Sequence, residues 1–408
     1  MNTWLRSVGA LVVFSLVVCG SAQSGADPPK STYLSTPITI GGMDSLSNPE
    51  YSAPETRSGI DAAIGDINSH GGIDRRPLRL DFCDTDFNAN LELSCTERLI
   101  ASHVAAVVAP SILADPSGRE YSLAASAKMP IIGSQGLSSA ELQSKVVFPL
   151  SSGIPGWFYG VVAALIDKGD KRIAVITDPN PSSQFAGNLT DAAIESAGLT
   201  PVHTITADVA SDPTLSSAVA RAVQGADGIA IVSGPNIVPR IVTGIRETSF
   251  AGNISSTSAL FPSQILQALG SAANGILLDS QTALPTDTSN PGVARFLADM
   301  KRYEPGARID SQSITSWTAT MLFAAVTRRT HATNSTAVLR AFNFLDTPVV
   351  LGTIAPYRVV GQKSPLPKLY PRIFNATIAV GTIEGGKVVA NGTGFSDPFT
   401  SLSSLEHS

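Results

Sequence analysis

From residue 37 onward the chain alternates short β-rich apolar runs with stretches whose apolar positions recur at helical spacing. Ile38 to Ile40 reads as a strand. Glu55 to Ser69 places Ile60, Ala63, Ile64 and Ile67 on one helical face. His70-Gly71-Gly72 ends that helix, because glycine supplies the left-handed cap. Leu78 to Phe82 alternates as a strand does, and Leu91 to Ile100 returns to helical spacing. Val104 to Val108 is an apolar run typical of a buried parallel strand. Asp115 to Ala127 reads as a helix and Pro130-Ile131-Ile132 opens the next strand.

A second series starts near residue 150. Helices are expected at Trp157 to Asp167, Phe185 to Ala197, Leu215 to Val223, Pro239 to Glu247 and Ser263 to Leu269. Between them fall strands at Arg172 to Thr177, Pro201 to Ile205, Gly228 to Val232, Ile254 to Thr257 and Gly275 to Leu278. Gly292 to Tyr303 and Ser311 to Arg328 read as two more helices. After residue 348 the pattern changes: Gly and Pro become frequent, and Ile373 to Val380 and Lys387 to Val389 look like strands without an intervening helix. Two successive βαβ series in one chain predict an α/β protein with two doubly wound parallel sheets.

The chain has 408 residues, long enough for two domains plus a leader and tails. Apolar residues make up 43% and charged residues 15%, which argues against disorder. Net charge is −5 with no Lys/Arg-rich run, so no nucleic acid partner is expected. Five His and three Cys, without Cys-x-x-Cys or His-Glu-x-x-His spacing, leave little for a zinc site. No metal and no cofactor are predicted, since no P-loop or Gly-x-Gly-x-x-Gly motif is present. Asp84-Thr85-Asp86 has metal-chelating spacing but reads better as a turn after a strand. Gly133-Ser134-Gln135-Gly136 lacks the spacing of a nucleophile turn, so the chain is expected to bind rather than to catalyse.

The N-terminus reads as an export signal. Arg6 precedes Val8 to Val18, an apolar run too short for the ~20 residues of a membrane span. Two readings of its end stay open. Cys19 after Leu16-Val17-Val18 resembles a lipidation site, with Val18 where a small residue is usual; cleavage at Gly20-Ser21-Ala22 is the alternative. Residues 1–22 are thus a signal peptide and 23–36 a flexible Ser/Gly/Pro-rich tether. Cys83 at a strand end and Cys95 in the following helix can come within disulfide reach, which an oxidising compartment favours over two buried thiols.

Several of these pieces together are characteristic. Ile38-Thr39-Ile40-Gly41 is followed by Ser58-Gly59-Ile60-Asp61-Ala62-Ala63-Ile64-Gly65-Asp66-Ile67-Asn68, then Gly71-Gly72-Ile73, Arg76-Pro77-Leu78-Arg79-Leu80 and Cys83-Asp84-Thr85-Asp86. Val104 to Val108, Met129 to Ile132 and Lys171 to Ile176 continue the series. The combination resembles the leucine/isoleucine/valine-binding protein family, the type I periplasmic solute-binding proteins of ABC importers, over about residues 37–390. The Cys83–Cys95 pair also resembles a bridge of that family.

The resemblance implies two lobes joined by a hinge the chain crosses three times. Lobe one would comprise 37–149 plus 282–348 and lobe two 150–281 plus 349–393, leaving a loose tail at 394–408. It implies an extracytoplasmic monomer, held at the membrane if Cys19 is acylated, that captures a small-molecule solute for a membrane permease. A ligand-sensing subunit with the same fold is the alternative. Ligands of open α/β sheets bind beyond the carboxyl ends of the strands, so the candidates are loop residues: Tyr51, Ser52, Ser111, Gln135, Gly136 and Ser138 in lobe one, and Gln184, Phe185, Asn236, Ser258 and Asp279 in lobe two. In relatives the stretch aligned with Gln135, Gly136 and Leu137 holds a ligand carboxylate and amine, and Leu137 replaces a Thr. Ser256 to Leu260 lacks the carboxylate that often pairs with a ligand ammonium, and Asp279 or Asp44 would have to substitute. An amino acid, an amide and a small carboxylate all stay open as ligands.

Overall fold

A computed structural model describes residues 36–403 except Pro116, Pro235 and Thr393. The expected leader, Cys19, the tether up to residue 35 and the last five residues lie outside the described residues. The chain opens with β1 (Ile38–Asp44), α1 (Pro54–Ser69), β2 (Leu78–Asp84), α2 (Ala89–Ala101), β3 (Val107–Val108), α3 (Arg119–Ser126), β4 (Ile131–Ile132), α4 (Ser139–Gln143) and β5 (Val147–Phe148). It continues with α5 (Gly153–Asp167), β6 (Ile173–Thr177), α6 (Pro181–Ser196), β7 (His203–Thr206), α7 (Ser216–Val223), β8 (Gly228–Val232), α8 (Val238–Arg246), β9 (Asn253–Thr257), α9 (Ser263–Leu269) and β10 (Leu277–Ser280). Then come α10 (Pro291–Tyr303), α11 (Ser311–Thr330), α12 (Ser335–Asn343), β11 (Ala379–Glu384), β12 (Lys387–Ala390) and α13 (Pro398–Ser403).

The strands form two sheets. The first runs β2-β1-β3-β4-β5 and is wholly parallel. The second runs β12-β11-β10-β9-β8-β6-β7, parallel from β7 to β10 and closed by an antiparallel hairpin. Both parallel portions follow one doubly wound order, with the strand sequence reversing between β1 and β3 and between β6 and β8. Local signals agree with the elements. Asn88, Asn180, Asn290 and Asn334 cap α2, α6, α10 and α12 by accepting first-turn N–H groups.

Helix α1 turns its Ile60–Ile67 stripe into the lobe-one core, where α10 and α11 also pack. Cys83 and Cys95 are joined, with Cα atoms 5.7 Å apart, and pin α2 to the end of β2. Three crossings between the lobes are laced together. The Ser151 hydroxyl of the first donates to Gln281 Oε1 of the second (3.1 Å), and Asn375 Nδ2 of the third donates to the Leu150 carbonyl of the first (2.8 Å).

Four expectations need correction. The segment from 349 to about 374, expected in lobe two, packs on lobe one: Val349, Ile354 and Tyr357 are buried in its core, and Arg372 bonds the carbonyls of Leu142 and Val147. The strand expected at Ile373 to Val380 therefore begins only at Ala379. The helix expected from Asp115 begins at Arg119, because Gly118 adopts φ +71°, outside helical conformation. The tail expected to be loose from 394 instead carries α13, whose Phe399 and Leu402 are buried, with Phe399 4.5 Å from the Tyr159 ring.

Candidate functional site

The ends of the parallel strands face one another across a cleft, and both switch points are tied by a carboxylate. In lobe one Asp44, at the end of β1, is fully buried and accepts the Ser45 N–H (2.8 Å) and the hydroxyls of Thr56 (2.7 Å) and Ser111 (3.0 Å). Burial pushes its pKa up to about 7 even though those three donors oppose the rise. In lobe two Asp178, just after β6, accepts the Gly234 N–H and the Ser183 hydroxyl and so joins the loops after β6 and β8.

The lobe-one wall of the cleft is a hydrogen-bonded chain running outward from Asp44. Gln135, in the loop after β4, donates from Nε2 to Ser111 Oγ (3.0 Å) and to Gln312 Oε1 (2.9 Å). Gln312 and Ser311 open α11 behind the cap Asp310, whose carboxylate accepts the N–H groups of Gln312 and Ser313, both at 3.0 Å. The facing wall comes from lobe two: Trp157 on α5, and Thr257, Ser258 and Ala259 where β9 passes into a 3₁₀ turn. Gln281, on the second crossing, completes the lining of a narrow interlobe pocket. No lining side chain of this pocket is charged.

The loop that carries Gln135 is held from within. Glu141, on α4, is buried and accepts the N–H groups of Gly136 (2.6 Å) and Leu137 (2.8 Å) and the hydroxyl of Tyr121 (3.1 Å). Burial raises its pKa, and these bonds oppose the rise. Ser138 caps α4 by accepting the Glu141 N–H. Gly136 and Gly153 pack backbone to backbone, both at positive φ, and a Cβ on Gly136 would come within 2.6 Å of Gly153 Cα.

The expected site residues separate accordingly. Gln135 and Ser258 line the interlobe pocket, and Ser111 supports Gln135 from behind. Gly136, Ser138 and Phe185 line a second, more open depression beside Tyr370. Tyr51 is half-buried with its ring 5.5 Å from Phe87, and burial followed by the Asp44 charge raises its pKa. Ser52 and Asn236 are exposed and line neither hollow. Gln184 turns its amide to the sheet, donating to the Thr177 hydroxyl (2.8 Å) and the Asp178 carbonyl (2.6 Å). Asp279 lies outside the lining: it is fully buried against Gly160 of α5, and neither carboxylate oxygen has a hydrogen-bond partner of good geometry. Burial pushes its pKa well above the carboxylate range, and the neighbouring Thr257 hydroxyl offsets only part of this. Neither Asp44 nor Asp279 therefore substitutes for a carboxylate at Ser258 in the lining. Gln281 falls in the loop Asp279 to Gln281 expected after the last strand of the second series, whereas Trp157, Ser311 and Gln312 were not expected, since they sit at helix starts rather than in loops after strands.

The family model described as periplasmic binding protein matches residues 37–363. No curated protein matches the chain. Among solved structures, a substrate-binding periplasmic protein from Ralstonia solanacearum superposes with TM-score 0.72 at 16% identity, covering 87% of this chain and 100% of its own. The branched-chain amino acid transporter substrate-binding protein LivJ from Streptococcus pneumoniae, in complex with isoleucine, gives TM-score 0.67 at 19% identity, covering 87% and 98%. A solute-binding protein of an ABC transporter from R. palustris, in complex with 4-hydroxybenzoate, gives 0.70 at 16%, covering 89% and 97%.

Proposed function

The chain belongs to the periplasmic binding protein family, and on that premise we propose that it captures one small polar solute between its lobes and delivers it to the membrane permease of an ABC importer. The observation that carries this reading is the composition of the pocket. Lobe one supplies Gln135, Ser311 and Gln312, lobe two supplies Trp157 and Thr257 to Ala259, and a crossing supplies Gln281. A solute touching both walls stabilises the closed arrangement, which is how ligand occupancy becomes a shape that a partner reads. Structural neighbours holding isoleucine and 4-hydroxybenzoate fit a scaffold on which the lining sets the cargo.

The family places the protein outside the cytoplasm. Acylation at Cys19 would hold it at the membrane, and a monomer suffices, because the pocket is complete within one chain.

The mature protein, unfolded and refolded to remove carried-over solute, is expected to gain thermal stability with one member of a panel of amino acids, amides, short acids and polyols. Solute at a thousandfold excess over its Kd stabilises by about 4 kcal/mol. No shift with any member would overturn the reading, and chemical turnover of one would replace it with an enzymatic one.

A further inference from the structure

Resting on the solute-binding reading above, we infer that the interlobe pocket selects an uncharged solute, held by a paired acceptor and donor on the Gln135 and Gln312 carboxamides as a primary amide would be. The Asp44 carboxylate sets the polarity of this pair. When ionised it can only accept, so the Ser111 hydroxyl donates to it, and Ser111 Oγ in turn accepts from Gln135. The nitrogen of Gln135 is thereby turned inward, where its second proton meets Gln312 Oε1. These bonds leave over the Gln135 oxygen as an acceptor and the Gln312 nitrogen as a donor, on two residues that both line the pocket. Gln281 accepts from Ser151 through Oε1, which leaves its nitrogen as a second donor.

No lining side chain carries a charge that could pair with a charged solute. Two sets of backbone N–H groups on the lobe-one side are already taken by internal carboxylates: Gly136 and Leu137 by Glu141, and Gln312 and Ser313 by Asp310. An ammonium would meet no carboxylate among the lining residues, and an unpaired charge in so enclosed a place is costly. Trp157, also in the lining, supplies aromatic surface for the body of the solute.

Titration calorimetry with two matched series tests the assignment: isovaleramide, isovalerate, isoamylamine and leucine, and benzamide, benzoate, benzylamine and phenylalanine. The carboxamide of at least one series is expected to bind at least tenfold tighter than each of its charged counterparts. A charged member that binds as tightly as its carboxamide overturns the inference and leaves the solute-binding reading standing. If neither series binds, whether the solute found in the wider panel carries an ionised group decides in the same way, and a panel with no binder overturns the solute-binding reading itself. Gln312→Glu, checked for an unchanged melting profile, is expected to lose at least tenfold in affinity for the uncharged solute. Unchanged affinity would show that this pair is not the site.

Discussion

The two lobes share a strand order, yet they build their sides of the cleft by different means. Lobe one uses carboxylates as internal clamps: Asp44, Glu141 and Asp310 each accept two or three donors and thereby fix loops or a helix start. Lobe two has one such clamp in Asp178, which joins the loops after β6 and β8, but Asp279, the buried carboxylate behind its pocket wall, has no well-formed hydrogen bond. A buried acid stabilises when its lone pairs are met and destabilises when they are not. The difference teaches that the lobe-one wall is pre-arranged by hydrogen bonds, whereas the lobe-two wall presents an indole and hydroxyls over an apolar layer.

The largest expected effect breaks the lobe-one clamp. Glu141→Ala leaves the Gly136 and Leu137 N–H groups without their acceptor and should lower stability by about 3 kcal/mol. Asp279→Val is expected to act in the opposite sense, raising stability by about 1 kcal/mol, because it removes an unmet buried acid at similar volume. Urea melts of the solute-free variants beside the parent protein measure both, and equal signs would dissolve the contrast between the lobes.

The lobe-one carboxylates can also be probed through pH. The Asp44 pKa is raised from 3.8 to about 7 on folding. The native state then binds more protons than the unfolded state between those values, so this group's contribution to stability falls as pH rises from about 4 to 7 and is level above. Asp44→Asn should flatten that part of the stability profile relative to the parent. An unchanged difference between parent and variant at pH 5 and pH 8 would show that Asp44 is not the source.

Much of the fold was legible because its elements carry periodic patterns. The Ile60 to Ile67 stripe, the buried run Gly228 to Val232 and the helix Ser263 to Leu269 all form where the pattern puts them. The stretch from 349 to about 374 was not legible, since it is held by single side chains such as Tyr357 and Arg372 rather than by a repeating face. Of the site, Gln135 and Ser258 followed from their position after strands. Gln312 and Trp157 did not, because which helix start reaches the cleft depends on how the lobes are joined. Glu141 was hidden for a related reason: its partners are backbone N–H groups, which no residue pattern marks.

The central claim is that solute sits between the two walls, and tryptophan emission tests it most directly. The chain has three tryptophans, of which Trp157 faces the pocket and Trp317 is buried in the lobe-one core with its indole N–H on Asp299; Trp4 falls within the expected leader. Addition of a solute that binds the mature protein is expected to shift or quench emission, to do so equally in Trp317→Phe, and to do neither in Trp157→Phe. Binding seen by calorimetry with no change in Trp157 emission would place the solute elsewhere and contradict the account.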